Sequence, residues 1–253
     1  SELDGSNGFV INGIDERDFS GRSVSGAGDI NGDGIDDVII GIAKSNDNGV
    51  VVVGESYVVF GQREGFNASL ELFQLNGSNG FVLNIDPDDR SSLSVSGAGD
   101  INGDGIDDLI VGARSAGTNT FGNYEFYSIG ETYVVFGQSE GFNASLDLSQ
   151  LNGSNGFVIN GIDAFDNSGV SVSGAGDING DGIDDLIIGA READPNGNLE
   201  AGESYVVFGQ SEDFNASLEL SQLNGSNGFV LNGIDEGDKS GQSVSGAVDI
   251  NGD

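Results

Sequence analysis

A nine-residue acidic motif, Asp-Ile-Asn-Gly-Asp-Gly-Ile-Asp-Asp, occurs three times in the 253-residue chain, at 29–37, 100–108 and 177–185. Side-chain oxygens stand at motif positions 1, 3, 5 and 9, position 6 is a glycine that allows a sharp turn, and position 7 offers a backbone carbonyl. Calcium takes about six to eight hard oxygen ligands, which alternate residues of a tight loop can supply. The motif therefore predicts a calcium site in each copy, with water completing the coordination shell.

A fourth copy begins at Asp249, and the sequence ends at its position 5. The first positions of successive copies are 71, 77 and 72 residues apart, so the sites recur with a long repeat. The isoleucines at position 7 would bind through their carbonyl oxygens. The predicted ligands are Asp29, Asn31, Asp33, Ile35 and Asp37 in the first copy; Asp100, Asn102, Asp104, Ile106 and Asp108 in the second; Asp177, Asn179, Asp181, Ile183 and Asp185 in the third; and Asp249, Asn251 and Asp253 in the fourth.

The motif differs from an EF-hand, which needs a bidentate glutamate at position 12 and a helix on each side. Position 12 is Ile40, Val111 or Ile188, inside an apolar β-like run, so an EF-hand is excluded. Asp, Asn and Gly also form Asx turns without metal. Three copies with every ligand in register favour metal binding over that alternative. Without the glutamate we expect a weak affinity, around 10⁻⁴–10⁻³ M, as in extracellular modules.

Composition restricts the other kinds of chemistry. The chain contains no Cys and no His, which excludes disulfides, Cys/His zinc sites and Cys or His nucleophiles. Forty-two acidic residues against eight basic ones give a formal charge of −34. Nucleic-acid phosphates and anionic lipid surfaces would be repelled, so neither nucleic-acid binding nor membrane insertion is expected.

Other segments recur in phase with the acidic motif. Glu-Ser/Thr-Tyr-Val-Val-Phe-Gly-Gln, Phe-Asn-Ala-Ser-Leu-Glu/Asp-Leu and Asn-Gly-Ser-Asn-Gly-Phe-Val each occur three times. Short Val-, Ile-, Tyr- and Phe-rich runs between Gly, Asn, Asp and Ser predict four strands per unit. In the first unit these are Gly21–Ala27, Asp37–Ile42, Glu55–Gly61 and Gly80–Asn84, and Ser217–Leu223 is the one segment expected to form a helical turn.

Four strands per unit are typical of propeller blades. The sequence therefore predicts an all-β fold of four-stranded antiparallel β-propeller blades. The whole of 1–253 is predicted to be a single repeat domain, with units at about 14–84, 85–161 and 162–233 and a partial fourth at 234–253. Closed propellers need about four to eight blades. We therefore expect the propeller to be partial or completed by another chain, with open strand edges that favour self-association.

The Gly-Asp strand end, the acidic motif and the following apolar strand that runs into Gly-Ala resemble the FG-GAP repeats of the integrin α-subunit propeller. The resemblance covers essentially the whole chain. It implies calcium loops between the first and second strands of each blade, on one face of the propeller. It also implies that the loops between second and third strands, and between blades, lie on the opposite, ligand-binding face.

Two further features fall on that implied ligand-binding face. Residues 116–129 form a longer connection than their counterparts and hold Phe121, Tyr124, Phe126 and Tyr127, which could anchor a partner or fold over their own blade. An Ile-Asp-x-x-Asp segment precedes each first strand, and turn formation is favoured there over a second cation site. Its acids are Asp15 and Asp18, Asp86 and Asp89, Asp163 and Asp166, and Asp235 and Asp238.

Three functions remain open. The leading expectation is an extracellular or cell-surface, calcium-stabilised, non-catalytic module that binds a protein or glycan ligand. The second is a building block of an extracellular fibre, sheath or surface layer, which the near-identical copies favour. The third is a hydrolase that uses two carboxylates, although no acidic pair is set apart from the repeat. Six Asn-x-Ser sequons, at Asn67, Asn76, Asn143, Asn152, Asn215 and Asn224, would accept glycans in a suitable host, but turn formation explains them equally well.

Overall fold

The computed structural model describes residues 2–16, 18–45, 51–85, 94–116, 119–121 and 125–247. Short strands follow the Val/Ile/Tyr/Phe runs, and Gly, Asn and Asp occupy the turns between them. In chain order the strands are β1 (Val10–Asn12), β2 (Ser23–Gly28), β3 (Asp37–Ser45), β4 (Val51–Val59), β5 (Ser69–Glu71), β6 (Gly80–Asn84), β7 (Ser94–Gly99), β8 (Asp108–Ala113), β9 (Asn119–Phe121), β10 (Glu125–Tyr127), β11 (Glu131–Val135), β12 (Ser145–Asp147), β13 (Gly156–Asn160), β14 (Ser171–Gly176), β15 (Asp185–Ala190), β16 (Glu203–Val207), β17 (Ser217–Glu219) and β18 (Gly228–Asn232).

Three antiparallel sheets share one strand order, which is β2-β3-β4-β6 in the first, β7-β8-β11-β13 in the second and β14-β15-β16-β18 in the third. Each predicted unit supplies one such sheet. The register also repeats, since Tyr57, Tyr133 and Tyr205 of the third strands oppose Val82, Val158 and Val230 of the fourth. The predicted all-β fold of four-stranded propeller blades is confirmed, and the three sheets are called blades 1, 2 and 3 below.

Strand boundaries agree best with prediction at the fourth strand, which spans the predicted Gly80–Asn84. The hairpin of blade 1 is longer than expected. β3 continues to Ser45 and β4 begins at Val51, because Ala43 and Lys44 pair with Gly54 and Val53 beyond the predicted end at Ile42.

Parallel strands that the sequence did not predict link β1, blade 1 and blade 2 to the unit that follows each of them. The Ser-Leu-Glu/Asp segments form β5, β12 and β17, and these pair in parallel with β1, β6 and β13. The predicted helical turn at Ser217–Leu223 is therefore right only in its second half. β17 occupies Ser217–Glu219, and a 3-10 turn follows at Leu220–Gln222. β12 and β17 thus belong to the sheet of the preceding blade, across the predicted unit boundaries.

The inner strands of neighbouring blades pack side by side, β2 against β7 and β7 against β14. Glycine makes this approach possible, since a Cβ on Gly97 would lie 2.9 Å from the carbonyl oxygen of Gly26. The core lies between blades. One cluster joins Ile39 and Phe81 to Leu109 and Val111, and a second joins Ile110 and Phe157 to Leu186 and Ile188. Blade-to-blade packing therefore fixes where the acidic loops stand relative to one another.

Candidate metal loops and the opposite face

Each acidic motif forms the loop between the first and second strands of a blade, as the resemblance implied. The motif at 29–37 joins β2 to β3, and those at 100–108 and 177–185 join β7 to β8 and β14 to β15. In blade 1 the backbone N–H groups of Asp33 and Gly34 donate to the two carboxylate oxygens of Asp29, at 2.9 and 2.8 Å. The N–H of Asp33 also donates to Asn31 Oδ1 at 3.0 Å.

The same bonds recur in the other two loops. Asp104 and Gly105 donate to Asp100, and Asp181 and Gly182 donate to Asp177. The carboxylate at position 1 therefore fixes the turn at positions 5 and 6. Asx-type turns are present in every loop, so turn formation and metal binding are compatible uses of the same residues.

Position 9 differs from the other acids because its carboxylate is buried. Asp37, Asp108 and Asp185 are at most 2 % exposed. Asp108 accepts from the N–H groups of Gly137 and Ile101, at 2.8 and 3.0 Å. Asp37 accepts from Gly61 N–H at 2.7 Å. Its second oxygen, Oδ2, is also buried, and the backbone N–H of Ile30 acts on this carboxylate as that of Ile101 does on Asp108.

Burial also disfavours the charged form of these acids. Desolvation raises the pKa of Asp108 to about 8 and that of Asp37 to about 7, with the other loop carboxylates adding repulsion. Desolvation raises the pKa of Asp185 as well. A cation in the loop would offset the negative charge of these carboxylates, which burial and the neighbouring acids make costly.

Position 8 has a role that the sequence did not reveal. Asp107 Oδ2 accepts from the N–H of Asp29 in the preceding blade at 2.8 Å, and Asp184 Oδ2 accepts from the N–H of Asp100 at 3.0 Å. This acid therefore links adjacent loops. The sequence contains a signal for this role. Asp occupies position 8 in all three copies, although the predicted calcium ligands include only position 9 of the Asp-Asp pair.

The residues present fit a hard cation in their chemistry. Every predicted donor is an oxygen atom, from a carboxylate, an amide or a backbone carbonyl group. No three acids among the described residues converge closely enough to hold a metal as they stand. A calcium site in these loops would not need three converging acids, because two of the five predicted donors in each loop are an Asn amide and a backbone carbonyl. The carboxylates at position 1 also accept hydrogen bonds from the backbone of their own loop. Calcium binding therefore stays a prediction. Asp249, Asn251 and Asp253 lie outside the described residues.

At the far ends of the strands, the Ile-Asp-x-x-Asp segments form turns. The N–H of Asp15 donates to Asp18 Oδ2 at 3.0 Å, and the pairs Asp163/Asp166 and Asp235/Asp238 make the same bond. Turn formation, the favoured interpretation, accounts for these acids. Burial raises the pKa of Asp166 to about 7, with repulsion from Asp163 and Glu203 adding to it. Asp86 and Asp89 lie outside the described residues.

The long connection of blade 2 contains a short antiparallel hairpin, in which β9 pairs with β10. It begins beyond Ala113, the end of β8 opposite the acidic loop. Ser128, which follows β10, accepts from the N–H of Phe165 at 2.7 Å, so the base of the hairpin contacts blade 3. The side chains of Phe121, Tyr124, Phe126 and Tyr127 lie outside the described part of the chain.

The sequon asparagines divide into two groups. Asn76, Asn152 and Asn224 hold tight turns, and each accepts from the N–H of the serine two residues on, at 3.0 Å. Asn67, Asn143 and Asn215 are exposed, and each lies just before a short parallel strand. The first group thus has a structural role, as the turn interpretation expects.

Comparison with known proteins agrees with this geometry. The strand order and the loops define a module of β-propeller blades. A family model described as FG-GAP repeat matches residues 93–129 and 168–207, the segments that hold the second and third acidic loops. The chain therefore contains FG-GAP repeats, in the β-propeller blade architecture that the sequence predicted.

The chain is also similar to two kinds of longer protein. It is 30% identical to integrin alpha pat-2 of Caenorhabditis elegans over 209 residues, which is 81% of this chain and 16% of the relative. It is 29% identical to phosphatidylinositol-glycan-specific phospholipase D of Bos taurus over 196 residues, 78% of this chain and 22% of the relative. The chain thus spans less than a quarter of either. No described segment forms a helix long and apolar enough to cross a membrane.

Proposed function

We propose that this chain is an extracellular, calcium-stabilised β-propeller module that binds a protein or glycan ligand and has no catalytic activity. The observation that carries the proposal is the buried carboxylate at the end of each acidic loop. Three such groups, Asp37, Asp108 and Asp185, have raised pKa values in loops otherwise lined by oxygen donors. A divalent cation favours their ionised form at neutral pH.

Calcium is the cation that suits these loops. Carboxylate, amide and carbonyl oxygens are hard ligands, and the chain has no His or Cys to favour zinc or copper. Weak sites of around 10⁻⁴–10⁻³ M are filled where calcium is abundant, which supports an extracellular location. Similarity to integrin alpha pat-2 supports the same location and a role in adhesion.

The proposal of a non-catalytic role rests on the hydrogen bonds that the buried acids make. The similarity to a phospholipase D covers only 22% of that relative, so it does not carry that enzyme's activity to this chain. Among the described residues, the buried acids outside the calcium loops, Asp18 and Asp166, accept hydrogen bonds within turns. A hydrolase needs one acidic pair with distinct protonation states, whereas these acids repeat from blade to blade.

The ligand is expected on the face opposite the calcium loops, where blade 2 carries the β9–β10 hairpin, which has no counterpart in the described parts of blades 1 and 3. Screening the chain against glycan and extracellular-protein arrays, with calcium and with excess chelator, tests the proposal. We expect a calcium-dependent ligand that is lost when the hairpin is shortened. Hydrolysis of a phospholipid or glycan substrate by the purified chain, abolished by a single Asp→Asn change, would contradict it.

The alternative function, a building block of an extracellular fibre or layer, is favoured by one observation, the near-identical sequence of the repeated units. Electron microscopy of the purified chain distinguishes the two. Filaments or sheets would favour the structural role, and discrete particles that bind a ligand would favour the adhesive one.

A further inference from the structure

The outer rim of the propeller carries the same surface pocket in each of the three units, and these are called the rim pockets below. The pocket of unit 2 has a volume of about 200 Å³, and those of units 1 and 3 have volumes of about 280 and 190 Å³. Six lining positions are shared by all three. In unit 2 they are Gln138, Phe142, Asn143, Ser145, Leu146 and Asn155.

Two blades form the walls of the unit 2 pocket. Phe142, Asn143 and Ser145 lead into β12, which pairs with β6 of blade 1. Gln138 follows β11 and Asn155 precedes β13, both of which belong to blade 2. The pocket therefore lies between two blades that the chain itself completes.

Backbone contacts fix the wall that carries Gln138. The N–H of Gly137 donates to the buried Asp108 Oδ1 at 2.8 Å. The N–H of Gln138 donates to the carbonyl oxygen of Ile30, in the acidic loop of blade 1, at 3.0 Å. The equivalent bonds recur in the pocket of unit 3. This wall is thus preformed, and it lies at the acidic-loop ends of the blades, away from the β9–β10 hairpin.

Side-chain amides and a hydroxyl supply the polar groups of the unit 2 pocket. Gln138 Nε2 donates to the carbonyl oxygen of Gly141 at 2.8 Å, and Asn155 Oδ1 accepts from a backbone N–H at 3.0 Å, so both amides are held in place. Asn143 and Ser145 are exposed, and their amide and hydroxyl groups contact solvent. The pocket thus combines two fixed amides with two polar groups that a ligand can reach.

The lining of these pockets is neutral, although 42 of the 253 residues are acidic. Among the described residues that line the pockets of units 2 and 3, none is acidic or basic, and Glu64 borders the pocket of unit 1. A charged ligand would therefore find no partner of opposite charge there. Amides and hydroxyls donate and accept hydrogen bonds, as the hydroxyls of a neutral sugar do.

Size and apolar surface agree with a sugar ring. Phe136, Phe142 and Leu146 give the unit 2 pocket an apolar part against which the C–H groups of a ring can pack. Sites for drug-sized ligands have volumes of about 300–1,000 Å³. A pocket of about 200 Å³ is smaller and suits a single ring.

We propose that each rim pocket binds one neutral sugar residue of a glycan. The rim pockets are a site in addition to the ligand face that carries the hairpin, because they lie at the opposite ends of the blades. Three equivalent pockets on one module can engage a glycan with repeated residues at the same time, so weak single contacts combine into a stronger one.

The exposed asparagine of each pocket allows a selective substitution. The test variant removes its amide in all three units, as Asn67→Ala, Asn143→Ala and Asn215→Ala. The matched control changes the next residue, which is also exposed but does not line the pocket, as Ala68→Ser, Ala144→Ser and Ala216→Ser. Both variants alter exposed side chains alone, so their melting temperatures should match that of the intact chain. All chains are produced in a bacterial host, so that the sequon asparagines carry no glycan.

The first arm titrates the methyl glycosides of glucose, galactose, mannose and N-acetylglucosamine into the isotope-labelled intact chain and follows its NMR spectrum. We expect at least one glycoside to bind with a Kd on the order of 1 mM. Binding should weaken at least tenfold in the Asn→Ala variant and be unchanged in the Ala→Ser control and in the chain with a shortened hairpin.

Four results of this arm would overturn the proposal. They are binding of none of the glycosides, equal binding by the Asn→Ala variant, equal binding of the neutral peptide acetyl-Gly-Asn-Gly-amide, and loss of binding when the hairpin is shortened. The last result would assign the sugar to the opposite face, whereas the first would leave a ligand of the hairpin face untouched.

The second arm measures binding to a surface that carries the best glycoside at high density, by surface plasmon resonance. The comparison is with a chain that keeps only the unit 2 pocket, through Asn67→Ala and Asn215→Ala. We expect the intact chain to bind at least tenfold more tightly, because several pockets engage the surface together. Equal binding of the two chains would overturn the proposal of three equivalent pockets.

Discussion

At the level of single residues, the carboxylates of each acidic loop differ in their contacts and burial. Position 1 fixes the turn, position 9 is buried beneath the loop, and position 8 reaches the next loop. Position 5 is exposed, as at Asp181, and its carboxylate is one of the predicted calcium ligands. A substitution at position 8 should therefore affect blade contacts, whereas one at position 5 should affect metal binding.

Asp184→Ala and Asp181→Ala make that separation measurable. Asp184→Ala removes the acceptor of Asp100 N–H, so it should cost about 1–2 kcal/mol of unfolding free energy even in chelator. Asp181→Ala should leave the stability in chelator nearly unchanged and weaken calcium binding at one site. Urea unfolding in chelator and calorimetric titration give the two quantities. Loss of calcium affinity in Asp184→Ala with unchanged stability would contradict the assignment of position 8.

Asp166 predicts a pH effect away from the metal loops. Burial raises its pKa to about 7, so the folded state favours the protonated form, and stability is lost as pH rises from about 4 towards 7. Asp166→Asn keeps an oxygen that can accept the N–H of Asp163 and removes the charge. The variant should therefore gain about 1–2 kcal/mol more over the native chain at pH 8 than at pH 5. Urea unfolding at both pH values checks this, and an equal difference at the two would refute it.

At the scale of elements, the β9–β10 hairpin is an addition to a blade that closes without it. Ala116 is buried, and its carbonyl accepts from Gly130 N–H at 3.1 Å, which joins the two ends of the connection. Replacing residues 119–127 by a short Gly-Ser linker, with Ser128 kept, should change unfolding free energy by less than about 1 kcal/mol. Thermal unfolding measures this, and ligand binding should be lost. A large loss of stability would show that the hairpin aromatics belong to the core.

How far the sequence predicts the structure also differs between elements. The alternating apolar runs and the repeated Asp/Gly turns predict the four antiparallel strands, and β6 agrees to the residue. The parallel strands were missed because Ser-Leu-Glu is too short and too polar to read as a strand. Its pairing depends on an outer strand from another blade, such as Val82 opposite Ser145. The role of Asp184 was missed for the same reason, since its partner lies 84 residues away in sequence.

At the scale of the whole molecule, stability depends on contacts between blades. The two large hydrophobic clusters each span two blades, and the parallel strands β12 and β17 and the position 8 acids connect the same neighbours. A formal charge of −34 opposes this compact assembly. Cations bound at three loops would reduce the repulsion where acids are densest, so metal binding and blade packing are expected to be coupled.

We expect the three acidic loops to bind calcium and thereby to stabilise the propeller. Differential scanning calorimetry of the intact chain in excess chelator and in about 10 mM calcium tests it most directly. Sites of around 10⁻⁴–10⁻³ M would each add about 1.4–2.7 kcal/mol under these conditions. For three sites, we expect a rise in melting temperature on the order of 10 °C or more. An unchanged melting temperature would contradict it.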